Sequence, residues 1–177
     1  MSKGAIPFPA RRSMRLRGYD YRQSGAYFIT VCAFRQACRF GEIRNGQAAL
    51  NELGKVVQRC WLRIPELRAS VELDSHVVMP NHLHGILVIR DDPARGDQGT
   101  HAGSRPGHVP DSLGAIVGQF KRAVTIESRT LARAPARPVW QRNYYDHVIR
   151  SEESLSRIRW YIQENPARWR DDSLYNE

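Results

Sequence analysis

The 177-residue sequence predicts an α+β domain, a ferredoxin-like antiparallel sheet with helices packed on it. Three observations lead there. Runs rich in aromatic and β-branched residues alternate with runs whose apolar residues recur every three or four positions, in the order β, α, β, β, α, β, α. Two of the strand-like runs are separated only by a Pro80-Asn81 turn, which makes them an antiparallel hairpin. No internal repeat divides the chain, and a hairpin set among longer helical crossovers suits a mainly antiparallel sheet carrying helices.

The chain opens with a basic arm, residues 1–24, holding six Lys or Arg against one acid, Asp20, with prolines at 7 and 9. After the Ser24-Gly25 turn, "YFITVCAF" (27–34) reads as a buried first strand, and Arg35 begins a polar connection. Over 48–64, Leu50, Leu53, Val56, Val57, Cys60, Trp61 and Ile64 mark an amphipathic helix that Pro65 stops. "VELDSHVVM" (71–79) and "HLHGILVIR" (82–90) form the hairpin. Residues 91–110, with four glycines and three prolines, are expected as a flexible loop in which His101 and His108 are bystanders.

Asp111 is then expected to cap a helix that buries Leu113, Ile116, Val117, Phe120 and Val124 and turns Arg122, Thr125 and Arg129 outward. "VWQRNYYDHVI" (139–149) reads as the last strand. "SEESLSRIRWYIQENP" (151–166) reads as the last helix, capped by Ser151, with Glu152 and Glu153 complementing its N-terminal dipole and Asn165-Pro166 ending it. Residues 25–170 thus make one domain, and 171–177 a C-terminal tail.

Charge narrows the partner. Lys plus Arg number 27 against 18 Asp plus Glu, a formal +9, which favours nucleic acid first and a membrane surface second. No apolar run is long enough to span a bilayer, and the N-terminal segment lacks the apolar centre of a secretory signal, so a cytoplasmic, nucleoid-associated protein is expected. Cys32, Cys38 and Cys60 show no CxxC spacing and read as reduced packing residues.

The chemistry gathers in "MPNHLHGILV" (79–88). Side chains at i and i+2 of a strand share a face, so His82 and His84 project together and Leu83 points away. Two neutral imidazoles need only one more oxygen or nitrogen donor to hold a divalent metal; the plainer reading is a packed pair, and residue 86, a third histidine in HxHxH hydrolases, is Ile86 here. Tyr161 and Asn165, four apart, share a helical face beside the stripe Leu155, Ile158 and Ile162. They would present a phenol and a carboxamide together, unless Tyr161 is an amphipathic edge residue and Asn165 a cap. Tyr144 and Tyr145, beside Asp146 and His147, are rival nucleophiles, although adjacent strand residues point oppositely and only one could face a site. His76 is expected to be structural.

Four motifs, "VVMPNHLHGILV", "IVGQFKRAV", "WQRNYYDHVIR" and "IRWYIQENPARW", resemble the HUH single-strand DNA transposases, in their standalone branch of REP-associated tyrosine transposases. The resemblance runs from about Gly18 to Trp169. It implies that His82 and His84 bind a divalent ion, Mg²⁺ or Mn²⁺, that Asn165 is the third ligand, and that Tyr161 attacks DNA to give a 5′-phosphotyrosine. Some relatives carry Gln at the position of Asn165. The implied partner is single-stranded DNA folded into hairpins, acted on by a monomer or a homodimer. Arg11, Arg12, Arg15, Arg17, Lys121, Arg122 and Arg142 are the candidate DNA contacts, with a solvated basic surface as the alternative. The rival functions are a non-catalytic DNA-binding protein derived from such an enzyme and a metal hydrolase that uses His82 and His84 with water.

Overall fold

The computed structural model describes residues 19–91, 112–131 and 138–175. Arg11, Arg12, Arg15, Arg17, His101, His108, Asp111 and the expected loop after Asp91 lie outside the described residues. In chain order the elements are β1 (Gly25–Cys32), the hairpin β2 (Gly41–Arg44) and β3 (Gln47–Leu50), α1 (Glu52–Leu62), the short α2 (Ile64–Leu67), β4 (Val71–Val78), β5 (His82–Ile89), α3 (Leu113–Glu127), β6 (Tyr145–Ile149) and α4 (Glu152–Glu164). The main sheet has the order β4-β5-β1-β6, with every neighbouring pair antiparallel. Setting the small hairpin aside, this is the β-α-β-β-α-β ferredoxin-like arrangement with the short α2 and the last helix, α4, added. No helix among the described residues is long and apolar enough to cross a membrane.

The sheet is covered on both faces, and strand alternation decides which residue goes where. Tyr27, Ile29 and Val31 of β1 join Leu83 and Leu87 of β5 in the larger core, against Val57 and Trp61 of α1 and Phe120 of α3. Phe28 and Ile86 point the other way, to a smaller core closed by Ile158 and Ile162 of α4. His82 and His84 share the parity of Ile86 and therefore face α4. Gly85 lies on the opposite side, where a Cβ would come within 2.3 Å of the Trp61 ring, so the missing side chain lets the indole lie against β5.

Several boundaries differ from the sequence reading, each for a local reason. The polar connection after Arg35 contains the β2–β3 hairpin, turned by Asn45-Gly46, both with positive φ (51° and 73°), a pairing typical of tight hairpins. Leu50 ends β3 rather than starting the helix, because Asn51 caps α1 by accepting from Gly54 N at 3.0 Å. Pro65 does not stop α1; that helix ends at Leu62, and Pro65 sits in the first turn of α2, where no amide hydrogen is needed. The cap of α3 is Ser112, whose Oγ accepts from Ala115 N at 3.3 Å. The expected strand 139–149 shrinks to Tyr145–Ile149 plus an isolated bridge between Trp140 and Ala33, the run being broken at Asn143 with its φ of 65°. Cys60 is buried as expected of a packing residue, but Cys38 is exposed.

Candidate metal and tyrosine site

β5 supplies the two imidazoles at the middle of the sheet, beside β1, and each ring is pinned by one nitrogen. His84 Nδ1 lies 2.8 Å from Thr30 Oγ1, its register partner on β1. His82 Nδ1 lies 2.7 Å from Asn81 Oδ1. The ring centroids are 4.3 Å apart. Both rings are buried, and burial pushes both below the ordinary imidazole value, His82 the further because the His84 ring adds to the effect.

α4 brings Tyr161 over this pair. Its hydroxyl is 3.2 Å from His84 Nε2 and 3.2 Å from Asp172 Oδ2, and the ring meets Phe28 edge-on at 6.2 Å. Burial, then the negative charge of Asp172, raise the phenol far above its usual value. Docking of the helix rests on Ile158 and Ile162 and on the paired bonds from Arg159 to Asp74 of β4, at 2.9 and 2.6 Å.

Asp172 is the residue that sequence reasoning missed. A single 3-10 turn, Trp169–Asp171, returns the chain under α4, with Trp169 buried 5.8 Å from the His82 ring. The Asp172 side chain is 1% exposed; Oδ1 accepts from Leu174 N at 2.7 Å and Oδ2 from Asn165 Nδ2 at 2.6 Å. Burial alone would raise this carboxyl. The His84 and His82 rings and the Asn165 and Leu174 donors outweigh it and hold the group well below the carboxylate range. His82, His84 and Asp172 each present one ligand atom within 4.8 Å of the others. No local pattern in the sequence marks Asp172, because its place depends on the turn that buries Trp169.

Asn165 is thus in the site, but its amide nitrogen faces Asp172, and its Oδ1 is buried with no hydrogen-bond partner among the described residues. His82 Nε2 is in the same position. Two imidazoles, one carboxylate and the carboxamide oxygen of Asn165 form a donor set suited to a divalent cation.

Over 170 residues, 93% of either chain, the sequence is 44% identical to an uncharacterized protein of Haemophilus influenzae. The chain belongs to the family of that protein. No protein-family model matches it. Among solved structures, a REP-associated tyrosine transposase bound to a REP hairpin superposes with a TM-score of 0.57 at 19% identity, over 88% of this chain and 73% of that one. The fold is therefore that of a REP-associated tyrosine transposase.

The other expected site residues fall elsewhere in this transposase-like fold. Tyr145 packs on Phe28 at a centroid distance of 6.4 Å, and Tyr144 joins the core of the opposite face, so the phenol placed against His84 is that of Tyr161. His76 is half-buried against Trp61, at 6.2 Å. Arg122 and Arg142 are exposed. Lys121 is turned inward: its ammonium donates to the carbonyls of Gln141 and Asn143 at 2.7 and 2.9 Å, fixing the segment before β6.

Proposed function

We propose that this protein is a divalent-metal-dependent enzyme that nicks and rejoins single-stranded DNA at hairpin-forming repeats, with Tyr161 as the nucleophile. The observation that carries the reading is the Tyr161 hydroxyl, held 3.2 Å from His84 Nε2 beside a buried carboxylate. His82, His84 and the Asn165 carboxamide oxygen would hold the ion, and Asp172 would balance its charge. Bound Mg²⁺ or Mn²⁺ would supply Lewis-acid polarisation of the scissile phosphate.

The chain's own residues do the rest. A phenol far above its usual pKa is protonated at neutral pH and must lose its proton as it attacks; Asp172 Oδ2, already its hydrogen-bond partner, is the acceptor. Tyr161 Oη bonds to phosphorus, the bond from phosphorus to the 3′ oxygen breaks, and that oxygen takes a proton from solvent to leave as a 3′-hydroxyl. The 5′ phosphate stays esterified to Tyr161, so a later attack by a 3′-hydroxyl joins strands without a nucleotide cofactor. The exposed Arg122 and Arg142 would meet phosphates. Because one chain supplies both the imidazoles and the phenol, action by a monomer is supported. Such a protein works in the cytoplasm, on the nucleoid.

The test is adduct trapping. A labelled single-stranded hairpin incubated with the protein and Mn²⁺ should give a covalent protein–DNA species that Tyr161→Phe abolishes and Tyr145→Phe retains. Salt-sensitive binding without an adduct under any divalent ion would make the protein a non-catalytic binder, and cleavage indifferent to Tyr161 would make it a hydrolase.

A further inference from the structure

Asn81 stands just before the first histidine of the pair, and none of its surface is exposed. Its amide nitrogen donates to two backbone carbonyls, Gln36 O at 3.0 Å and Leu174 O at 2.8 Å. Carbonyl oxygens only accept, so these partners fix the amide with its own oxygen turned the other way. That oxygen is the atom 2.7 Å from His82 Nδ1. It too only accepts, so Nδ1 must carry the ring proton and the lone pair of the neutral ring is left on Nε2. Nε2 is the nitrogen buried without a hydrogen-bond partner among the described residues.

The backbone is built to keep this amide in place. Ala33 N donates to Asn81 O at 2.8 Å, and Arg39 N and Phe40 N both donate to Pro80 O, at 2.8 and 2.9 Å. The Gln36 carbonyl is presented by a turn in which Arg35 and Gln36 have φ of 58° and 55°. Left-handed backbone is unfavourable for a non-glycine residue, and two in succession persist only where surrounding contacts over-determine them. The second carbonyl belongs to Leu174, whose own amide is bonded to Asp172, so one carboxamide joins the strained turn, the histidine pair and the C-terminal segment.

We propose that Asn81 is a positioning residue for the metal centre: held by the Gln36 and Leu174 carbonyls, it locks His82 in the tautomer that presents the Nε2 lone pair to the site. This rests on the metal reading above and assigns Asn81 a role that acts through His82. Outer partners of this kind are typically worth about 10–100-fold in metal affinity.

Two measurements on the full-length protein test it: the His82 tautomer in the metal-free state, from long-range ¹H–¹⁵N NMR, and Mn²⁺ affinity, from EPR titration. Wild-type protein should carry the proton on Nδ1. Asn81→Asp gives up the two bonds to the Gln36 and Leu174 carbonyls but keeps an acceptor beside Nδ1, and should keep the proton on Nδ1. Asn81→Leu removes it and should give mixed tautomers with Mn²⁺ bound about 10–100-fold more weakly. Should the leucine variant fail to fold, the wild-type and aspartate spectra still decide. A proton on Nε2 in wild-type protein, or an Asn81→Leu variant with unchanged tautomer and affinity, overturns the role of Asn81 and leaves the metal reading standing. Wild-type protein that binds no Mn²⁺ overturns the metal reading itself.

Discussion

Gly85→Ala tests the packing that sets the height of the histidine strand. A methyl at this position would lie 2.3, 2.8 and 3.0 Å from three atoms of the Trp61 ring. Carbon atoms pack at about 3.5–4.0 Å, so the ring or the strand must retreat by roughly 1 Å. Trp61 has little room to do so: it is completely buried, meets Phe120 edge-on at 5.5 Å and lies against His76. Overpacking costs typically about 1–3 kcal/mol, and an immobile indole puts this case near the top. At about 2–4 °C per kcal/mol for a chain of this size, Tm should fall by roughly 6–12 °C. Gly118→Ala is the control. It lies in the interior of α3 with nothing within 4 Å of a Cβ, and should stabilise by about 0.5–1 kcal/mol through helix propensity alone. Thermal melts followed by circular dichroism compare the two. An unchanged Tm for Gly85→Ala beside a raised one for Gly118→Ala would falsify the close approach of indole to strand, as would failure of Trp61→Phe to relieve any of the loss.

The neighbouring cations Lys121 and Arg122 should separate cleanly. Lys121→Met leaves the Gln141 and Asn143 carbonyls short of a donor and should cost about 1–3 kcal/mol of stability, whereas Arg122→Ala should leave Tm alone and lower the salt dependence of DNA binding by about one unit of slope; the reverse pattern would remove Lys121 from the structural role. Asp172→Asn removes the acceptor of the Tyr161 proton and should slow adduct formation by about 10²–10⁴-fold; trapping rates near wild type would assign that proton elsewhere. For the Arg159–Asp74 clamp, the arginine hydrogen bonds hold the Asp74 carboxyl below its usual value. Its contribution is therefore present above the unfolded carboxyl pKa and lost as pH falls through the folded one. The Tm gap between wild type and Asp74→Asn should accordingly be wider at pH 7 than at pH 3, and a gap that widened in acid would contradict the sign.

What could be read in the sequence followed how local each signal was. The histidine pair, the β4–β5 hairpin and the faces of α3 and α4 are written in periods of two and of three or four, which survive without tertiary context. Asn45-Gly46 is a strong local turn signal, but it was hidden because the strands on either side are four residues each and only partly buried. Trp140 looked like strand because it is aromatic; it is buried instead on Phe40 and Phe120, at 5.3 and 5.5 Å, with its indole N–H bonded to the Lys121 carbonyl. Lys121 and Arg122 are indistinguishable in charge count, and only the carbonyls of a segment about twenty residues away decide that the first turns inward. Asp172 was invisible for the same kind of reason, since its role depends on a 3-10 turn that exists to bury Trp169 against His82.

The two faces of the sheet carry unequal loads. The α1 and α3 side buries most of the large side chains, while α4 is docked by four buried residues, Phe28, Ile86, Ile158 and Ile162, and by the Arg159–Asp74 clamp. A lightly buried element has a lower local opening free energy than the core it covers, so the face bearing the imidazoles is the one that opens at least cost. The Phe28 ring lies 5.3 Å from His84, 6.2 Å from Tyr161 and 6.4 Å from Tyr145, so strand and helix meet around one aromatic ring. Tyr161 is already hydrogen-bonded to His84 and Asp172. On the proposed mechanism the phenol already donates to Asp172, the group that takes its proton, which keeps the reacting groups near their productive positions before substrate arrives.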